Sequence, residues 1–148
     1  MNYRRMETAR ANHVLDAIGN TPLVELRRVV PARAARVVAV EPAESAVLAG
    51  KPSGSHKIEG IGIGFIPPLW KPDEVNEVLP VSTADAKAMA RRLAREEAIF
   101  AGTSTGANVV AALRIAERLG PAATVATMIV DSGLRYLSTD VFRSDTER

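Results

Sequence analysis

The chain has 148 residues, 47% hydrophobic and 24% charged, with a formal net charge of +2 and no cysteine. That balance belongs to one ordinary globular domain and excludes disulfides, thiolate metal sites and a cysteine nucleophile. The basic residues are scattered rather than clustered for nucleic acid, no apolar run approaches the ~20 residues of a membrane span, and the charged start lacks the apolar stretch of a signal peptide, so a soluble cytoplasmic protein is expected.

Residues 6–17 are compatible with a short helix that has Met6, Ala9, His13 and Ala17 on one side. Ile18-Gly19-Asn20-Thr21-Pro22 is turn chemistry, and Leu23–Leu26 follows as an extended segment. Arg36–Val40 reads as a buried strand ended by Pro42, with a helical turn or two over residues 43–49. Residues 50–72 carry five of the ten glycines and four prolines and read as a long loop of the kind that is often functional. Val75–Val81 is a second strand. Ser82-Thr83-Ala84-Asp85 resembles a capping box opening a helix over 83–98, with Ala86, Met89, Ala90 and Leu93 as its apolar stripe.

Ala98–Ala101 reads as a short buried segment. Gly102-Thr103-Ser104-Thr105-Gly106 leads into a helix over 106–119, with Val109, Ala112, Leu113 and Ala116 as its stripe and Gly120-Pro121 as its stop. Thr124–Val130 is the clearest strand, and the tail from Asp140 is polar and expected to fray. Helices alternating with strands predict an α/β layer with a small, mostly parallel sheet.

Four features invite a chemical reading. Backbone N–H groups at Gly102–Gly106, with the helix dipole behind them, suit an anion, although glycine and hydroxyl residues serve an ordinary helix start equally well. Ser132 lies just past a strand, where open α/β sheets bind ligands, or it is a turn serine bonding its own backbone. Gly60-Ile61-Gly62-Ile63-Gly64 allows close backbone approach. Lys57 follows Pro52-Ser53-Gly54-Ser55-His56, so it is either a reactive amine or a solvated loop lysine. His13 and His56 have no metal-ligand spacing and read as surface residues. Trp70 among prolines reads as packing.

Two blocks go beyond generic pattern. IGNTPLVEL (Ile18–Leu26) resembles the amino-terminal signature of the cysteine synthase and cystathionine β-synthase family of pyridoxal-phosphate-dependent enzymes. VAVEPAESAVLAGKPSGSHKIEGIGIGFIPPLW, AGTSTGANVVAALRIAERLG and VDSGLRYLSTDVF resemble its carboxyl-terminal part, in order. The resemblance implies an incomplete three-layer αβα arrangement, part of the tryptophan-synthase-β-like fold. It implies one truncated domain over 1–148, in which 18–40 corresponds to the family's amino-terminal segment and 38–142 to its carboxyl-terminal segment.

It further implies pyridoxal phosphate as cofactor, with Ser132 as the ring-nitrogen partner and Gly60, Ile61 and Gly62 lining the substrate. The family's activity, cysteine from O-acetylserine or a related β-substituted serine plus sulfide, is the ancestral expectation. The family's Asn-Pro-x-x-Ser-x-Lys-Asp-Arg motif, its Ser-Gly-Asn-Thr loop and its Gly-Thr-Gly-Gly-Thr phosphate loop have no counterpart in context. Lys57 mimics the Schiff-base lysine, but Ile58-Glu59-Gly60 follows it and its flanks match the later segment. A large internal deletion is therefore expected, with loss of activity and either a marginal fold or one that relies on self-association, or else a role as a non-catalytic module pairing with a full-length relative or pathway partner. No metal, nucleic acid or membrane is implied.

Overall fold

A computed structural model describes residues 36–143. These lie within one compact unit, Ala32–Arg148. The expected helix over 6–17, the turn and extended segment over 18–26 and His13 fall outside the described residues.

Strand β1 (Val38–Pro42) pairs in parallel with β2 (Glu77–Val81), Val38 opposite Glu77 and Pro42 opposite Val81. The strand expected over 36–40 thus begins two residues later and includes Pro42. A proline lacks the N–H that a central strand would donate, so Pro42 and Pro80 are tolerated because each strand here is an edge.

Helix α1 (Thr83–Glu96) starts where the sequence predicted, with the Ser82 hydroxyl accepting the Asp85 N–H at 3.0 Å. After α1, Ala98 adopts φ +56°, and the Ile99 N–H returns to the Leu93 carbonyl. That reversal carries Phe100 outward, so of the expected buried segment 98–101 only Ala101 is buried.

Helix α2 (Thr103–Leu119) begins earlier than expected, because the threonines and serine lie inside its first turn. It ends at Gly120, which takes φ +77° and donates to the Ala116 carbonyl. Its buried side is also rotated from the expected stripe. Ala107 and Ala111 enter the core with Val110 and Ile115 packed against it, while Leu113 is 45% exposed. A helix apolar around most of its girth can bury either side, and contact with α1 decides which. Gly106 makes that contact possible, lying so close to the Ala86 carbonyl that no side chain fits between.

The core collects Ile58, Leu79, Val81 and Ala86 with α2. A second cluster joins Ala90, Tyr136 and Val141, with Phe142 against it. Phe142 stacks obliquely on Phe100 at 4.7 Å. The tail expected to fray from Asp140 is therefore held at least to Arg143.

The clearest sequence expectation fails. Thr124–Val130 forms no strand with any described residue. A strand is defined by its neighbour, and this segment lies instead along α2, where Thr105 Oγ1 accepts the Val130 N–H at 3.0 Å and Asn108 Nδ2 donates to the Met128 carbonyl at 3.1 Å. Met128, Ile129 and Val130 are each more than half exposed. Only past it does pairing resume, as a single antiparallel bridge between Ala101 and Ser132.

Candidate functional site

Three groups of candidate residues occupy distinct settings. In the first, Gly60, Gly62 and Gly64 all take positive φ, which glycine adopts without strain. Gly62 also lies against the Pro42 ring and the His56 imidazole, leaving no room for a Cβ. His56 is half-buried rather than a surface residue. Its Nε2 lies 2.8 Å from the Gly62 carbonyl and its Nδ1 accepts the Ile58 N–H, an arrangement that requires the tautomer protonated at Nε2. The imidazole thus pins the loop across itself. Gly62 lines a cleft with Val40, Glu41, Ser45, Leu48 and Phe65. Glu41, overlooked in the sequence, is 2% exposed, and its two carboxylate oxygens accept the Leu48 and Ala49 N–H groups at 2.9 and 3.0 Å. A lone carboxylate at a strand end gives no sequence signal, since its partners are backbone atoms.

In the second, the amino terminus of α2 meets Asp131–Tyr136. Thr103 and Thr105 are fully buried. Thr103 Oγ1 accepts the Glu59 N–H and Thr105 Oγ1 accepts the Val130 N–H. The hydroxyls of this helix start therefore hold two neighbouring segments against the helix. Asp131 lies beside Gly102. Its backbone carbonyl accepts the Gly102 N–H, and Oδ2 accepts the Tyr136 hydroxyl at 2.8 Å. Burial, then the bond to Asp131, pushes the Tyr136 phenol up to about 12. A carboxylate here also complements the helix dipole. Ser132 is exposed, and its Oγ accepts the Leu134 N–H at 3.3 Å, capping a short 3₁₀ turn over Gly133–Tyr136.

In the third, Lys57 Nζ, on a side chain 69% exposed, lies 3.3 Å from Asp140 Oδ2, while Lys87 Nζ, on a side chain only 10% exposed, lies 2.6 Å from Oδ1. Hydrogen bonds from Lys87 and then Lys57 hold the Asp140 carboxyl down to about 2. Lys87 and Asp140 are separated by 53 positions, beyond reach of local pattern reading. The structure brings Lys57 to Asp140 and Ser132 to Asp131, and it draws neither into a common site with Gly60–Gly62 through any described hydrogen bond.

Pyridoxal phosphate requires a lysine amine for its aldehyde, donors for its phosphate and an oriented group at its ring nitrogen. The described residues do not fit it. Lys57 and Lys87 both direct Nζ to Asp140. Thr103 and Thr105 are fully buried, which keeps their hydroxyls from an external phosphate, and Ser132, whose Oγ accepts the Leu134 N–H, has only its own O–H to offer a ring nitrogen. No chemical step through the cofactor is derived from them.

Comparison with known proteins agrees on ancestry. Residues 31–131 match the family described as pyridoxal-phosphate dependent enzyme. A probable cysteine synthase of Bacillus subtilis (strain 168) is 48% identical over 103 residues, covering 70% of this chain and 33% of the relative. The solved cysteine synthase of Entamoeba histolytica superposes with a TM-score of 0.70 at 42% identity, over 76% of this chain and 34% of that one. The O-acetylserine dependent cystathionine beta-synthase of Helicobacter pylori gives 0.70 at 37%, over 74% and 36%. The chain thus spans about a third of the length of the relatives it matches. Its two-stranded parallel sheet and paired helices are a partial αβα arrangement of the tryptophan-synthase-β-like fold. With this match over most of its length, the chain belongs to the cysteine synthase family of pyridoxal-phosphate-dependent enzymes.

Proposed function

We propose that this chain is a truncated, internally deleted cysteine synthase relative that does not itself perform the family's β-replacement. The family reaction exchanges the acetate of O-acetylserine, or a related leaving group, for sulfide, giving cysteine. The observation that carries the reading is the setting of the candidate groups: Lys57 is exposed and paired with Asp140, and Thr103 and Thr105 are fully buried. One remaining hydrogen bond to the ring would contribute only ~1 kcal/mol, too little against the cost of association. On this reading 1–148 is one truncated domain joined near Val38–Val40, and it works in the cytoplasm, a compartment its cysteine-free composition suits.

The test is sulfide-dependent cysteine formation with saturating pyridoxal phosphate, alongside the visible spectrum and peptide mapping after borohydride reduction. No turnover and no specific label are expected. Robust turnover, or a label on Lys57, overturns the proposal and makes the loop lysine a recruited catalytic residue.

A second reading, a non-catalytic module pairing with a full-length relative or pathway partner, is favoured by a bare apolar loop: Ile63, Phe65 and Ile66 are more than half exposed and Leu69 is 91% exposed. Affinity capture that recovers no such relative or partner, or recovery unaffected by Leu69→Glu, counts against it.

A further inference from the structure

Thr124–Val130 reads Thr-Val-Ala-Thr-Met-Ile-Val, and no charge occurs between Arg118 and Asp131. A continuous apolar, β-branched run is the mark of a strand buried on both faces of a parallel sheet. Here Met128, Ile129 and Val130 are exposed at 68%, 51% and 52%. Successive residues of an extended chain point to opposite sides, so both faces are bare. The segment has high β-propensity, no charge and neither proline nor glycine, a composition prone to pairing with a copy of itself.

Its two bonds to α2 define which edge is open. The Val130 N–H and the Met128 carbonyl both point toward α2, and they are two residues apart, the repeat of an extended chain. The even-numbered backbone groups therefore face the helix. Those of Val125, Thr127 and Ile129 face the other way, and no described group bonds them. α2 holds the first edge at Met128 and Val130, which leaves the opposite edge for one further copy.

We propose that Thr124–Val130 pairs with the same segment of a second copy of this chain, as an antiparallel ladder centred on Thr127. In that register Thr127 meets Thr127 and Val125 meets Ile129, the outward-facing residues that exchange hydrogen bonds in an antiparallel pair. Asp131 falls opposite Ala123. A parallel pairing in register would set Asp131 against Asp131, and like charges directly opposite are destabilising. The two-fold pairing uses one patch on both copies, as an isologous dimer requires. It does not depend on the absence of activity proposed above.

The absence of cysteine makes the test clean. Sedimentation of the full chain over a dilution series should show a roughly twofold mass that dissociates on dilution. Thr127→Cys should crosslink to a dimer under mild oxidation, the expected Cα separation lying within disulfide reach, whereas exposed Ser138→Cys should not. Thr127→Pro removes the central N–H from both copies and should abolish the dimer. Ala126→Pro removes an N–H facing α2 and should leave it intact. Circular dichroism on each variant separates lost pairing from lost folding. A monomer at every concentration, assembly beyond two copies, dimers that survive Thr127→Pro, a crosslink at position 138 as strong as at 127, or assembly only with a full-length relative would each overturn the proposal.

Discussion

Gly106→Ala tests how much of the fold rests on the contact between α1 and α2. A Cβ built at Gly106 falls well inside contact distance of the Ala86 carbonyl oxygen and 3.0 Å from the Ala90 backbone nitrogen. Carbon and oxygen normally approach no closer than about 3.3 Å, so the helices must separate by about an ångström. Both obstructing atoms are backbone, and no rotamer change relieves them. Overpacking of this kind costs up to about 3 kcal/mol, against which alanine recovers about 1 kcal/mol of helix propensity. The net expectation is a loss of about 2 kcal/mol, a fall of roughly 8 °C in Tm for a unit of this size. Thermal melts followed at 222 nm measure it, with urea unfolding as a check. An unchanged or higher Tm would refute the reasoning, because it would mean that the helices do not cross at Gly106.

Three further outcomes follow from buried or paired groups. Glu41→Gln leaves one of the Leu48 and Ala49 N–H groups without its acceptor, and loss of such a part-buried hydrogen bond costs about 1 kcal/mol; the urea midpoint should fall with its slope unchanged. Asp140 has a folded pKa of about 2, below its ordinary value of 3.8. Its contribution is present above the unfolded pKa and is lost as pH falls through that window. Asp140→Asn should therefore flatten the acid limb of a stability profile, and an unchanged limb would disprove the role of the Lys87 and Lys57 pair. Tyr136 behaves in the opposite sense. With a folded pKa of about 12, raised from 10.0, its contribution is full below the unfolded value and is lost as pH rises toward the folded one. Tyr136→Phe should remove that alkaline loss, read as denaturant midpoints from pH 9 upward.

The candidate site was legible only in part. Gly62 was readable as a point of close approach because glycine spacing announces itself, but its neighbours, Pro42 and His56, were not. Ser132 was visible as a residue past a presumed strand. Asp131, which bonds Tyr136 and abuts Gly102, carried no signal beyond adjacency. Lys57 looked the same from sequence whether reactive or solvated, because the difference lies in Asp140, 83 positions away.

Local chemistry by itself determined α1 and the end of α2. The Ser82 hydroxyl needs only the N–H of Asp85 three residues on, and Gly120 needs only its own freedom at positive φ. The same holds for the strand character of Val38–Val40 and for the motifs of the cysteine synthase family, all carried by short stretches of sequence. Tertiary structure alone decided which side of α2 is buried, since Ala107 and Val109 are equally apolar and only contact with α1 and the sheet chooses between them. It also decided the fate of Thr124–Val130. Its residues favour a strand as strongly as any in the chain, but strand formation needs a second backbone. Among the described residues, α2 supplies only the side chains of Thr105 and Asn108.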